Sequence, residues 1–106
     1  MPAQISPREL KQRIERGDHL VVLDVREPEE WALARLAVAV HIPMGEIAGR
    51  LHEIDPDQEI VVVCHHGIRS AQVASFLAQR DFPRVLNLAG GIDSWSLTVD
   101  PSVPRY

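Results

Sequence analysis

The apolar positions along the chain fall into short continuous runs separated by helical patterns. Residues 20–23 and 60–63 are apolar without polar alternation, which is typical of strands covered on both faces of a parallel sheet. Residues 38–42 and 85–88 are further candidates of the same type, each interrupted by one polar residue. Strands that alternate with helices in this way predict an α/β fold with right-handed crossover connections.

Helix signals lie between these runs. Ser6-Pro7-Arg8-Glu9 has the form of a capping box with proline at the first helical position. A helix should follow to about Arg16, where Gly17 supplies the left-handed residue that ends it. Further helices are predicted over 28–36, 44–54 and 70–80, with a short last one around Trp95 after Gly90-Gly91.

Length and composition limit the range of architectures and partners. The 106 residues, 45% of them hydrophobic, suit one compact domain over residues 1–106 and exclude two full domains. The net charge of −4, without a cluster of consecutive basic residues, argues against nucleic acid as a partner. A single cysteine excludes a disulfide within the chain and a cysteine-rich zinc site.

The sequence also bears on the compartment. The first residues lack the apolar stretch of a signal peptide, and no apolar run approaches membrane-spanning length. We therefore expect a cytoplasmic protein with no membrane partner. A reducing compartment also suits an unpaired cysteine.

The segment from Cys64 to Ser70 carries the candidate chemistry, because it joins the strand at 60–63 to the start of a helix. Free backbone N–H groups and the helix dipole stabilise negative charge at such a position. Arg69, with His65 or His66, would add positive charge, and Gly67 would let several N–H groups converge into an anion-binding nest. Cys64 is thus expected to be a nucleophile near neutral pH; the alternative is a small apolar residue that ends a strand.

The length of this loop distinguishes between two chemistries. A cysteine phosphatase places its phosphate-binding arginine six positions after the nucleophile. Position 70 is serine here, and Arg69 falls one residue short. The spacing indicates a tighter loop that suits a single sulfur atom on Cys64 better than a phosphoryl group.

Two residues at the end of the first long strand are candidate supporting residues. We expect Asp24 to anchor the loop region by hydrogen bonds or to pair with Arg26 or Arg69. Arg26 either lines the pocket entrance or is a solvated surface residue. A metal site of His65 and His66 with Cys64 is not expected, because three adjacent residues on a tight loop rarely converge on one ion.

In combination, four segments resemble the rhodanese (sulfurtransferase) family: 5–10, Leu23-Asp24-Val25-Arg26 followed by Glu30-Trp31, the loop 64–70, and 88–95. The resemblance covers nearly the whole chain. It implies a five-stranded parallel sheet flanked by helices on both faces, and an active loop from Cys64 to Arg69. The residues after Trp95 are similar to the tail of rhodanese modules linked to sulfur-carrier activation.

One stretch departs from the family pattern. Where the family commonly reads Glu-Tyr-x-x-Gly-His-Ile-Pro-Gly-Ala, the segment from Glu30 to Ala39 lacks the Gly-His and Pro-Gly pairs. The departure over Ala34 to Val38 puts the expected backbone path in question. The departure does not include Cys64, the expected nucleophile.

The resemblance implies sulfur transfer through a covalent persulfide, with no cofactor and no metal. The Cys64 thiolate would attack the outer sulfur of a small donor such as thiosulfate, with Arg69 orienting the donor. Loop residues His65, His66, Gly67, Ile68, Arg69 and Ser70 would hold the persulfide. Because the sequence has no second cysteine, a thiol, cyanide or a sulfur-carrier protein would take the sulfur. A regulatory module that only carries the persulfide, and a cysteine phosphatase, are the alternatives.

Overall fold

The structure is a computed structural model, and it describes residues 2–106. Its strands are β1 (Ala3–Ile5), β2 (Leu20–Asp24), β3 (Val40–His41), β4 (Glu59–Val63) and β5 (Val85–Leu88). Within the described residues these five strands form one sheet in the order β1-β5-β4-β2-β3, and every neighbouring pair is parallel. The helices are α1 (Pro7–Glu15), α2 (Pro28–Leu33), α3 (Ile68–Ala78) and α4 (Gly91–Thr98), with 3₁₀ turns at Met44–Glu46 and Ala48–Glu53.

The central strand β4 shows why its apolar run is continuous. Ile60 and Val62 belong to a core shared with α3, whereas Val61 and Val63 belong to a core shared with α1 and α4. All four side chains are fully buried. Helices therefore cover both faces of the sheet, and the predicted α/β fold with a five-stranded parallel sheet is confirmed.

The strand β1 was not predicted, because its residues show almost no pattern of apolar and polar positions. It has three residues, and only Ile5 among them is buried. One apolar position cannot establish a period of two.

The segment between α2 and β4 departs most from prediction. The helix expected over 28–36 ends at Leu33, because the backbone of Ala34 is extended (φ −162°, ψ 145°). The strand expected over 38–42 is reduced to Val40–His41. The helix expected over 44–54 is replaced by the two 3₁₀ turns, and Arg50 has non-helical dihedral angles there (φ −125°, ψ 20°).

Arg26 fixes the path of the chain around this departure. Its guanidinium donates to both carboxylate oxygens of Asp24, at 2.7–3.0 Å, and to the backbone carbonyls of Glu30 and Ala34. Its fourth partner is the Tyr106 hydroxyl, at 2.9 Å. Both side chains of the Asp24–Arg26 pair are completely buried. The expectation of a solvated or entrance-lining Arg26 was therefore wrong: burial of the guanidinium requires this ring of acceptors.

Among residues 2–106, no helix is long and apolar enough to cross a membrane. The active-loop helix α3, the longest of the four, spans only eleven residues.

The buried ion pair makes a testable contribution to stability. Replacing Asp24 with alanine would leave the Arg26 charge buried without its carboxylate, so we expect the free energy of unfolding to fall by about 3–5 kcal/mol. Urea denaturation with a common m-value measures the change. As the control, Glu46→Ala removes an acid from an exposed pair with Arg50 and should change the midpoint far less. An unchanged midpoint for Asp24→Ala would contradict this role.

Candidate active site

The sulfur of Cys64 lies at the centre of the candidate site. Cys64 follows directly after β4 and is 1% exposed. Its Sγ accepts hydrogen bonds from the Gly67 backbone N–H at 3.0 Å and the Ser70 hydroxyl at 3.2 Å. Two donors that converge on one sulfur stabilise negative charge on it.

Gly67 gives the loop its shape. Its φ of +97° lies in the left-handed region, which a residue with a Cβ adopts only with strain. This conformation ends the loop and starts α3 at the next residue. The first N–H groups of α3 have no acceptor within the helix, so the loop lies at the positive end of the helix dipole.

Asn87 on β5 holds the loop from below and was missed by the sequence analysis. It is 2% exposed, and its side-chain amide donates to the Gly67 carbonyl and to Gln4 Oε1, both at 3.1 Å. Its Oδ1 contacts the Ser70 hydroxyl, which therefore shares one proton between Asn87 and the Cys64 sulfur. A polar residue inside the apolar run 85–88 was the signal that could have identified it.

The start of α4 holds the other side of the loop. Ile92 N donates to the Cys64 carbonyl at 2.9 Å, and Asp93 N donates to the His65 carbonyl at 3.1 Å. Gly91 permits this approach: its φ is +64°, and a Cβ there would collide with both carbonyls. The backbone of Cys64 and His65 is thus clamped by the first turn of α4.

Arg69 does not extend freely toward a donor. Its guanidinium forms a two-pronged ion pair with Glu30, at 2.7 and 2.9 Å. The Arg69 guanidinium, together with the Tyr106 hydroxyl that donates to Glu30 at 2.7 Å, lowers the pKa of Glu30 to about 2. Arg69 was expected to orient an anionic donor, or to pair with Asp24; its carboxylate partner is instead Glu30, which lies 39 positions away in the chain.

His65 and His66 form a stack with the tail of the chain. The His65 ring lies between His66, at a centroid distance of 3.9 Å, and Tyr106, at 4.0 Å. His65 Nε2 is buried and has no hydrogen-bond partner within residues 2–106. Burial lowers the pKa of His65, so its ring is neutral at neutral pH.

Potential metal-ligating atoms of His65, His66 and Asp93 gather beside the loop, and Cys64 is not among them. These atoms span up to 4.8 Å, whereas ligands about 2.1 Å from one zinc ion lie at most about 4.2 Å apart. Arg105 already pairs with Asp93 at 2.8 Å. The contact between His66 Nε2 and the Asp93 carboxylate, at 3.9 Å, is an ion pair only when His66 is protonated.

The predicted site residues lie at different positions relative to the Cys64 sulfur. Gly67 and Ser70 contact the sulfur, and the Asp24–Arg26 pair lies buried beneath α2 and the tail. Ile68 is 72% exposed, and its side chain lies on the outer surface. The arrangement combines a buried thiol, two hydrogen-bond donors to its sulfur and an exposed rim.

Known proteins match most of the length of this chain. A model of the rhodanese-like domain matches residues 6–98. The putative sulfurtransferase YtwF of Bacillus subtilis is 38% identical over 92% of this chain and 94% of its own length. The thiosulfate sulfurtransferase GlpE of Actinobacillus pleuropneumoniae is 30% identical over 97% of this chain and 94% of its own length.

The match extends to a longer protein and to a solved structure. The chain spans about half the length of the putative sulfur carrier protein YrkF of B. subtilis, which is 37% identical over 88% of this chain. The crystal structure of a rhodanese-related protein from Thermoplasma volcanium superposes with a TM-score of 0.85 at 32% identity, covering 98% of this chain and 99% of the other. The relatives thus carry the names of a putative sulfurtransferase, a thiosulfate sulfurtransferase, a putative sulfur carrier protein and a rhodanese-related protein.

The clamp at Gly91 generates a test of the loop. Gly91→Ala imposes a strained dihedral angle, which costs about 1–3 kcal/mol, and the collision with the two carbonyls adds to this. We expect a lower thermal midpoint and an altered rate of Cys64 alkylation by iodoacetamide.

The matched control is Gly49→Ala, because a Cβ on Gly49 meets nothing within 4 Å. Equal thermal midpoints and equal alkylation rates for the two variants would show that α4 does not clamp the loop.

Proposed function

Because the chain belongs to the rhodanese-like domain family, we propose that it is an enzyme that transfers sulfane sulfur through a persulfide on Cys64. The observation that carries the proposal is the geometry of the Cys64 sulfur, which accepts from Gly67 N and the Ser70 hydroxyl. Both donors belong to rigid parts of the structure. They are therefore in place before the reaction, which is the condition for electrostatic stabilisation without reorganisation.

The first step charges the cysteine. With thiosulfate as donor, the Cys64 thiolate attacks the outer sulfur, a new S–S bond forms, and the old S–S bond breaks. Its electron pair leaves on sulfite. No separate general base is required, because no proton moves in this exchange.

The persulfide is then held by the start of α3. Its outer sulfur carries the negative charge and extends toward the backbone N–H groups of Ile68 and Arg69. These groups have no helical acceptor and lie at the positive end of the helix. Neither a metal nor an organic cofactor is needed for this stabilisation.

The second step delivers the sulfur outside the chain. The sequence holds no second cysteine, so an external nucleophile must attack the outer sulfur and release the Cys64 thiolate. Cyanide, a small thiol or a sulfur-carrier protein meets this requirement. The exposed side chains of His66 and Ile68 form the rim that the acceptor passes.

A free thiol at the reaction centre must remain reduced between turnovers. We therefore propose a reducing compartment, the cytoplasm, as the place of action.

Mass spectrometry tests the reaction. After incubation with thiosulfate or cysteine persulfide, we expect the protein to gain one sulfur atom on Cys64, which cyanide removes as thiocyanate. Cys64→Ser should gain none. Loading without turnover to any acceptor would instead indicate a regulatory persulfide module. Cys64-dependent hydrolysis of an aryl phosphate would indicate a phosphatase.

The role of the Ser70 hydroxyl has its own test. Ser70→Ala removes one of the two donors to the sulfur, and a hydrogen bond to a charged group is worth about 1.5–3 kcal/mol. We expect kcat for thiocyanate formation to fall by about tenfold or more, with KM for the donor little changed.

Ser75→Ala, on the same helix and away from the sulfur, serves as the control. Equal kcat values in the two variants would remove Ser70 from the reaction.

A further inference from the structure

The arginines around the active loop all have carboxylate partners. Arg26 pairs with Asp24 at 2.7 Å, Arg69 with Glu30 at 2.7 Å, and Arg105 with Asp93 at 2.8 Å. Arg69 belongs to the loop segment. Arg26 donates to the Glu30 carbonyl, and Arg105 donates to Asp93, whose N–H donates to the His65 carbonyl. The rim of the site is therefore close to neutral, although the loop sequence suggests a positive one.

The Arg69–Glu30 pair is held firmly. Glu30 accepts two bonds from Arg69, one from the Tyr106 hydroxyl and one from the Glu27 backbone N–H. Tyr106 is itself fixed by Arg26 and by its stack on His65. To turn toward an anionic donor, Arg69 would have to break two charge-assisted bonds and leave a half-buried carboxylate without its cation.

The histidines do not restore a positive rim. Burial lowers the pKa of His65, which keeps this ring uncharged at neutral pH. His66 is exposed, and its Nε2 lies 3.9 Å from Asp93. A donor that approaches Cys64 thus meets the Arg69–Glu30 ion pair, in which the two charges cancel. Within the described part of the chain, no unpaired cation faces it there.

Thiosulfate carries two negative charges at neutral pH and gives up its hydration on entering such a site. Without an uncompensated cation, only the N–H groups at the start of α3 offset that loss. A thiol persulfide, R–S–SH, carries less charge and loses less. The same S–S exchange is available to it.

We propose that Glu30, positioned by Tyr106, determines donor specificity by cancelling the charge of Arg69. It directs the site away from the thiosulfate dianion and toward thiol persulfides of low net charge. This inference rests on the proposed function, sulfur transfer through Cys64.

The reaction with such a donor balances without a co-reactant. The Cys64 thiolate attacks the outer sulfur of R–S–SH, a new S–S bond forms, and the S–S bond of the donor breaks. The electron pair leaves on R–S⁻. The transferred sulfur arrives as Cys64–S–SH, loses its proton at the start of α3, and R–S⁻ takes up a proton to become the free thiol.

The experiment compares two donors and three proteins. The rate of persulfide formation on Cys64 is measured by mass spectrometry against the concentration of thiosulfate or cysteine persulfide, which carries at most one net negative charge. The proteins are the wild type, Glu30→Gln and Glu29→Gln. Glutamine keeps the acceptor for the Glu27 N–H but frees the charge of Arg69. Glu29 is exposed on the same helix, so its variant removes the same charge elsewhere.

We expect the wild type to reach half-saturation at a lower concentration of cysteine persulfide than of thiosulfate. Glu30→Gln should lower the KM for thiosulfate by about five- to tenfold and make it sensitive to KCl concentration, because an unbalanced cation now faces a dianion. Its KM for cysteine persulfide should stay within about twofold. Glu29→Gln should behave as the wild type with both donors.

A second variant separates charge from fold. Tyr106→Phe removes the hydroxyl that donates to Glu30 and accepts from Arg26, but it keeps the ring that stacks on His65. It should lower the KM for thiosulfate by about twofold and leave the rate at saturating cysteine persulfide unchanged. A purely structural role would instead reduce the saturated rate with both donors. If Glu30→Gln does not fold, Tyr106→Phe with the KCl series decides.

Three results would overturn the inference and leave sulfur transfer intact: a lower wild-type KM for thiosulfate than for cysteine persulfide, an unchanged thiosulfate KM in Glu30→Gln, or an equal effect in Glu29→Gln. Failure of Cys64 to load from either donor would overturn the proposed function instead. Loading from a persulfidated peptide without net charge, compared with cysteine persulfide, shows whether the thiol persulfide is supplied by a polypeptide or a small molecule. Either source supports the charge argument.

Discussion

The buried guanidinium of Arg26 joins the segments around the Cys64 loop. Arg26 reaches the end of β2 through Asp24, the carbonyl groups of α2 and its exit through Glu30 and Ala34, and the tail through Tyr106. A buried cation tolerates few arrangements, because each of its donors needs an acceptor. The end of α2 and the tail therefore have little freedom, and Glu30 is placed beside Arg69 in the first turn of α3.

Two kinds of contact hold the Cys64 loop and its surroundings. Backbone amides and carbonyls hold the loop itself, through Gly67 and the first turn of α4, and they depend on two glycines with positive φ. Side chains hold its electrostatic surroundings, through Asn87 beneath and Glu30 beside it. The first kind sets where the sulfur lies, and the second sets how much charge surrounds it.

The parts of this site differ in how far the sequence could predict them. The strand before Cys64, the glycine after it and the helix start are local signals, so the loop of Cys64 could be located between a strand and a helix from the chain alone. The Glu30–Arg69 and Arg26–Tyr106 contacts join residues 39 and 80 positions apart, and no local pattern encodes such pairs. The missing Gly-His and Pro-Gly pairs signalled an altered path near Ala34. Only the structure shows that an extended Ala34 offers its carbonyl to Arg26.

The position of Tyr106 in the chain has a consequence for the order of assembly. Every strand of the sheet precedes residue 89, so the sheet and the loop of Cys64 have all their strand partners before the tail is synthesised. The hydrogen bond to Glu30 and the stack on His65 both require Tyr106 in the tail. The strands that place Cys64 thus all come before Tyr106 in the chain, and the electrostatic surroundings that we propose to select the sulfur donor depend on a residue that follows every strand.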